Sequence, residues 1–229
     1  MSRTIGIIGG LGPHATVELE RRILDRIVAE CDQDYPTLLS FNNPHVPDRT
    51  EALLHGGESP VPALLRSAQT LIAAGAQVLC MPCNTAHAYF DQIQQSVPGS
   101  VLIHMIQEAS HAACRVLPTG SRVGILCTDG TRSSHLYGAA LTRSGLVPVY
   151  PSVGDQHIVM EVIYGPEGVK AGGIAKPTGQ LQAVIQNFEH SVDAIMIACT
   201  ELSLVKVRAA VPIIDALDTL ADAVVREGV

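Results

Sequence analysis

The chain has 229 residues, of which 47% are hydrophobic and 16% charged, with a formal net charge of −7. That length holds one large α/β domain or two of about 100 residues. A charged share below the roughly 25% of ordinary soluble domains implies extra buried surface, such as a subunit interface. The Lys and Arg residues are scattered rather than clustered, which excludes an electrostatic footprint for nucleic acid or an anionic membrane and leaves a small molecule as the expected partner. No signal-peptide or transmembrane stretch is evident, so the expected location is cytoplasmic.

Short β-branched runs alternate with longer amphipathic stretches along the whole chain. Strand is predicted over residues 4–8, 37–41, 78–81 and 101–104, with helix over 15–29, 61–74, 86–95 and 108–117. The rhythm continues with strands over 123–127, 147–150, 194–198 and 213–214, and helices over 133–143, 156–164, 180–190, 203–208 and 219–227. Such alternation predicts parallel sheets flanked by helices, an α/β fold of the doubly wound kind.

The two halves echo one another. Ile5-Gly6-Ile7-Ile8 enters a turn at Gly12, and Val123-Gly124-Ile125-Leu126 enters one at Gly130; 71 positions separate Gly12 from Cys83, and 69 separate Gly130 from Cys199. Each of these cysteines follows a buried apolar run and is followed closely by a threonine, Thr85 or Thr200. Val97-Pro98 and Val211-Pro212 then open matching strand-helix segments. The chain reads as a duplicated α/β unit with pseudo-symmetric halves. The expected domains are 1–98 joined by 210–229, and 99–209, because the last strand and helix repeat the segment beginning at Val97 and return to the first half.

The cysteines at 31, 80, 83, 114, 127 and 199 are expected to be reduced. Cys80-Met81-Pro82-Cys83 has the spacing of a redox pair, but Cys80 lies inside an apolar run, where cysteine acts as a small buried hydrophobe. The same bland reading applies to Cys31, Cys114 and Cys127, which have no match in the repeat. Cys83 and Cys199 differ, since both fall at carboxyl ends of predicted strands, where parallel α/β sheets bind ligands. A helix N-terminus after each would lower the thiol pKa and hold a carboxylate.

Two such thiols suit racemisation at Cα, which needs a base on one face of the carbon and an acid on the other. Removing a proton beside a carboxylate also requires aimed donors to stabilise the carbanion. Asn84, Thr85, Thr200 and nearby backbone amides are placed for that.

At these residues the sequence resembles the aspartate/glutamate racemase family, and within it the aspartate racemases, over essentially the whole chain. The carriers are Gly9-Gly10-Leu11-Gly12-Pro13, Pro47-Asp48-Arg49-Thr50, Pro82-Cys83-Asn84-Thr85-Ala86-His87, Thr128-Asp129-Gly130-Thr131, Val169-Lys170-Ala171-Gly172 and Cys199-Thr200-Glu201-Leu202. The resemblance implies racemisation of a dicarboxylic amino acid, L-aspartate foremost, by Cys83 and Cys199 with no cofactor. It also implies a site between two similar domains, and a homodimer. Asn84, Thr85, Thr128 and Thr200 look like residues that hold the α-carboxylate, and Arg49 and Lys170 like those that grip the side-chain carboxylate, with Leu11 and Gly12 lining the substrate cleft. Asp48 and Glu201 are candidates for ion pairs with these cations or for helix caps. Leu11, Cys127 and Ala198 depart from common family residues and bear on substrate preference. In glutamate racemases Thr-His follows the second cysteine, and Thr200-Glu201 here argues against a dedicated glutamate enzyme.

Three rival readings are weaker. Gly10-x-Gly12-x-x-Ala15 fits a dinucleotide fingerprint, but the following strand ends in Asn42-Asn43, with no acid for a ribose. A metal site needs three or four converging ligands, and only Cys83 and His87 pair at useful spacing, so no metal is expected; His87 is otherwise a capping, packing or orienting residue. A small-acid-binding or thiol-sensing protein would not need a matched cysteine pair.

Overall fold

The computed structural model describes residues 2–229. The chain forms two compact units, one running to Met105 and taking in Leu217–Val229, the other Ile106–Ala216. Each is built on a four-stranded parallel sheet, with strand order β2-β1-β3-β4 in the first and β6-β5-β7-β8 in the second.

In the first unit β1 (Ile5–Gly9) is buried along its length and lies between β2 (Leu38–Asn42) and β3 (Val78–Cys80), with β4 (Val101–Leu102) beyond β3. An interior strand of a covered parallel sheet loses solvent on both faces, which is why it reads as a continuous apolar run. Helices α1 (Pro13–Leu24), α2 (Arg49–Leu54), α3 (Val61–Ala73) and α4 (Phe90–Ser96) connect these strands. Pro13 opens α1 at a first-turn position, where its missing N–H costs nothing. Leu64, Ala68 and Leu71 of α3 pack with Ile8 and Leu79 of the sheet in one buried cluster that also holds Cys83.

In the second unit β5 (Arg122–Leu126) is flanked by β6 (Val147–Val149) and β7 (Ala194–Ile197), and β8 (Ile213–Asp215) pairs with β7. Its helices are α5 (Met105–Val116), α6 (Asp129–Ser133), α7 (Leu136–Arg143), α8 (Val153–Tyr164) and α9 (Ala175–Phe188). Val159, Val162 and Ile163 of α8 and Leu181, Val184 and Ile185 of α9 share a buried cluster with Cys199. The final helix, α10 (Ala216–Gly228), returns to the first unit. There it is fastened to the α1 end of the chain: Arg26 donates to Asp222 at 2.5 Å and to Asp218 at 2.6 Å.

The observed bounds correct the expected ones. A boundary at 98 assigned the strand after it to the second domain, but that strand, β4, pairs with β3. Likewise β8, expected to return with the C-terminal helix, pairs with β7. Each sheet completes its fourth strand before the chain leaves, so the crossings come one strand later, at Met105 and Ala216.

Three predicted helices also differ. Residues 129–143 form two helices parted at His135, whose φ of 54° breaks the α run. Helix α9 begins before Pro177 because proline is tolerated in a first turn. The predicted helix over 203–208 is a 3-10 turn, Leu202–Leu204, followed by extended chain. No helix among the described residues is long and apolar enough to cross a membrane.

Candidate functional site

The candidate residues fall into two groups, one in each unit. Leu11, Gly12, Arg49, Cys83, Asn84 and Thr85 belong to the first, and Thr128, Lys170, Cys199 and Thr200 to the second. Within each unit they lie at or beyond the carboxyl ends of the two central strands, or on the short segments that pack there.

The register accounts for this convergence. Ile7 is level with Cys80, and extending that pairing brings Gly10 level with Cys83. Leu126 is level with Ile197, and the same extension brings Thr128 level with Cys199. The two cysteines thus occupy equivalent places in sheets of equivalent strand order.

In the first unit the β1–α1 turn is shaped by Gly10. Its φ is +89°, and a Cβ there would stand 2.1 Å from the carbonyl oxygen of Asn43. This close approach of two backbones accounts for the glycine without any nucleotide. Arg49, at the start of α2, is buried, and its guanidinium donates to the carbonyl oxygens of Leu11, Val46 and Pro47, joining its own loop to the β1–α1 turn. Asp48 resolves as a cap: its carboxylate accepts from the backbone N–H of Thr50 at 2.8 Å and of Glu51 at 3.0 Å. Helix α2 in turn packs against the 3-10 turn Thr85–Tyr89 that follows Cys83.

His87 fixes that turn. Its Nε2 accepts from the Met105 N–H at 3.1 Å, so Nδ1 carries the proton and donates to the Cys83 carbonyl at 2.8 Å. Burial, reinforced by His104, pushes its pKa down to about 3 against the opposing backbone hydrogen bonds, so the ring is neutral. Of the roles open to it in the sequence, its contacts support both packing, against Phe90 and His104, and orienting the Cys83 turn.

In the second unit Thr128 caps α6, its hydroxyl accepting from the Thr131 N–H at 3.1 Å. The Thr128 loop is braced by Gln156 of α8, which donates to the Cys127 carbonyl at 3.0 Å and to Asp129 at 2.9 Å. No motif singles out Gln156; its only signal is a polar side chain on the buried face of a helix. Lys170, in the 3-10 turn Val169–Ala171, lies 5.3 Å from the centre of the Tyr164 ring and donates to Glu201 Oε1 at 2.9 Å. Cys199 Sγ donates to Glu201 Oε2 at 3.2 Å, and the Thr200 hydroxyl reaches the same oxygen at 3.3 Å. Glu201 is therefore an ion-pair partner rather than a cap.

Cys199 has charged neighbours. Burial raises the Cys199 pKa well above the ordinary value, Glu201 adds to the rise through its charge and hydrogen bond, and Lys170 opposes it. Burial also raises Glu201, but the charge and hydrogen bond of Lys170 and the Cys199 thiol outweigh it and hold the carboxyl below its usual value. The helix N-terminus expected after each cysteine is a 3-10 turn in both units, Thr85–Tyr89 after Cys83 and Leu202–Leu204 after Cys199. Cys80 and Cys127 are fully buried, and burial pushes Cys127 up to about 12, as expected of packing residues. Cys31 and Cys114 are exposed, so the buried packing role expected of them does not hold.

The sequence profile described as Asp/Glu/Hydantoin racemase matches residues 8–224. The chain is 27% identical over 231 residues to a broad specificity amino-acid racemase, RacX, of Bacillus subtilis strain 168, covering 96% of each. Among solved structures it superposes on an aspartate racemase of Picrophilus torridus with a TM-score of 0.87 and 32% identity, covering 99% of this chain and 94% of the other. A putative Asp/Glu racemase of Yersinia pestis shares the fold, with a TM-score of 0.78, 24% identity and 98% of each chain covered.

Proposed function

Because the chain belongs to the Asp/Glu/Hydantoin racemase family, we propose that, as an amino-acid racemase, it interconverts L- and D-aspartate with Cys83 and Cys199 as base and acid. In one direction the thiolate of one cysteine takes the Cα proton: the C–H bond breaks, an S–H bond forms, and the electron pair stays on carbon, delocalised into the α-carboxylate. The thiol of the other cysteine then gives its proton to the opposite face of Cα and is left as thiolate. The roles exchange in the reverse direction.

The observation that carries this reading is the equivalence of Cys83 and Cys199 at the ends of β3 and β7, in sheets of the same strand order. A buried packing cysteine has no reason to recur at the same place in both halves. Asn84, Thr85, Thr128 and Thr200 are assigned to the α-carboxylate and the charge that builds there, where aimed donors contribute most. Arg49, with Leu11 and Gly12 beside it, is assigned to the distal carboxylate, for which a guanidinium offers a planar two-pronged donor. Lys170 is its partner in that role.

A second reading, broad specificity, is favoured by one observation. Lys170 is already paired with Glu201, so its pull on a distal carboxylate is shared, and the likeness to the broad specificity racemase points the same way.

The test is exchange at Cα. Reduced protein is incubated with L-aspartate in deuterium oxide and followed by circular dichroism and proton NMR, beside Cys83→Ala and Cys199→Ala. Formation of deuterated D-aspartate by the wild type and by neither variant supports the reading. A single variant that still racemises sinks the two-thiol mechanism. A wild type equally active on neutral amino acids replaces aspartate by the broader substrate class.

A further inference from the structure

The two cysteine turns hold equivalent places in the sheets but differ in their next residues. Cys83 is succeeded by Asn84-Thr85, whereas Cys199 is succeeded by Thr200-Glu201. Glu201 is 6% exposed, and its two carboxylate oxygens face different partners: Oε1 receives the Lys170 ammonium at 2.9 Å, and Oε2 receives the Cys199 thiol at 3.2 Å. The result is a row running from the partly exposed Lys170 to the buried Glu201 and Cys199, with one carboxylate oxygen turned to each neighbour. Lys170 fixes Glu201 as a carboxylate, and a carboxylate within hydrogen-bond reach of a thiol can accept its proton's hydrogen bond but repels the thiolate that its loss would leave.

We propose that Glu201 is a positioning residue that holds Cys199 as a thiol in the resting enzyme and so makes it the proton donor of the pair. This rests on the reading of Cys199 as one of the two reacting thiols. In the turnover where Cys199 is the acid, its S–H bond breaks as the proton passes to carbon, and the thiolate is left facing the Glu201 carboxylate. The repulsion raises the proton affinity of that thiolate, so after product leaves Cys199 recovers a proton from solvent while Cys83 releases the one it took from Cα, and the resting protonation state is restored. Removing a carboxylate that repels the thiolate lowers the energy of the ionised form and lets Cys199 lose its proton at lower pH. The other ionisable groups facing Cys199 are Lys170, which favours the thiolate, and Tyr137, whose own ionisation burial pushes far up so that it faces the thiol as a neutral phenol.

The ionisation can be read without any substrate. Reduced wild type, Glu201→Gln, Glu201→Ala and Glu201→Asp are treated with iodoacetamide over a pH series, and the alkylation rate of each cysteine is followed by peptide mass. Glu201→Gln is expected to move the Cys199 midpoint down by about one pH unit or more, with the Cys83 midpoint unchanged in the same digests. Glu201→Asp keeps the midpoint near that of the wild type. Glu201→Ala moves it down as Glu201→Gln does, which keeps the test decisive if Glu201→Gln does not fold. A Cys199 midpoint that stays put or rises in whichever of Glu201→Gln and Glu201→Ala folds overturns the proposal. The racemase reading is judged separately, by deuterium exchange with aspartate. Its failure beside the predicted midpoint shifts leaves the Glu201 effect intact, and its success with unmoved midpoints removes Glu201 alone.

Discussion

His87 is a neutral histidine held between a carbonyl and an amide, and its replacement gives a prediction whose size is set by its surroundings. It is 2% exposed, donates to Cys83, accepts from Met105 and packs against His104, at 5.1 Å between ring centres, and Phe90, at 5.9 Å. Its folded pKa of about 3 lies below the ordinary 6.5, so between those values the unfolded chain binds a proton that the folded chain refuses. Stability from this residue is complete above about pH 6.5 and declines as pH falls toward 3. At about 1.4 kcal/mol per pH unit, the loss between pH 7 and pH 5 is about 2 kcal/mol. Substituting His87→Gln removes the titration, and leaving either hydrogen-bond partner unsatisfied costs about 1–3 kcal/mol at every pH. Urea unfolding of wild type and variant at pH 7, 6 and 5 cancels the other titrating groups in the difference, so the variant's deficit should shrink by about 2 kcal/mol on going to pH 5. The NMR shifts of the His87 ring should show a neutral Nδ1–H tautomer throughout. A deficit independent of pH, or a ring that titrates near 6.5, refutes the assigned hydrogen bonds.

The same geometry leads to three further outcomes. Asp48→Ala removes the cap of α2 and should cost about 1 kcal/mol in chemical unfolding, while raising KM for aspartate more than it lowers kcat, because Arg49 begins that helix. Gly10→Ala forces a side chain onto a left-handed backbone against the Asn43 carbonyl; a cost of at least about 3 kcal/mol corresponds to a melting temperature lower by roughly 6 °C or more, and a melt within a degree or two of wild type contradicts it. Cys80→Ala, deep in β3, should cost about 1 kcal/mol and keep wild-type turnover, in contrast to the same change at Cys83.

The duplication was legible because burial writes it into the sequence. A covered parallel strand must be apolar where it is buried, so Ile5–Gly9 and residues 123–126 of β5 announce themselves, and the turn glycines mark where each ends. What the sequence obscured are features decided by tertiary contact. Helix α2 is six residues long, too short for a periodicity to show. The φ of His135 reflects the geometry between α6 and α7, not a local preference. The strand-end turn of Cys199 was placed, but its ionisation was not, since that depends on burial and on whether Glu201 faces the thiol or a helix end. The choice between a cap and an ion pair for Asp48 and Glu201 is likewise a question of which donors lie within 3 Å or so, and residue type answers it equally for both.

Duplication and the proposed racemisation make opposite demands on the two cysteines. Copying one α/β unit yields two equal turns, and equal turns offer thiols of equal proton affinity, yet a two-thiol reaction needs one proton shared between two sites at the moment substrate arrives. With identical thiols, a pH that ionises one ionises much of the other, and the singly protonated enzyme is never more than a fraction of the total. Setting one thiol's affinity above the other's widens the pH range over which a single proton is held. The overall equilibrium between enantiomers is untouched, because the equilibrium constant of a racemisation is one and kcat/KM must be equal for both enantiomers at any pH. As proposed, Glu201 supplies this inequality at Cys199, at a position where the first unit has Thr85 in its place after Cys83. The proposed asymmetry then lies in the residues next to the two cysteines, which differ between the halves, and the alkaline limb of kcat/KM should move to lower pH in Glu201→Gln by the same amount with L- and with D-aspartate.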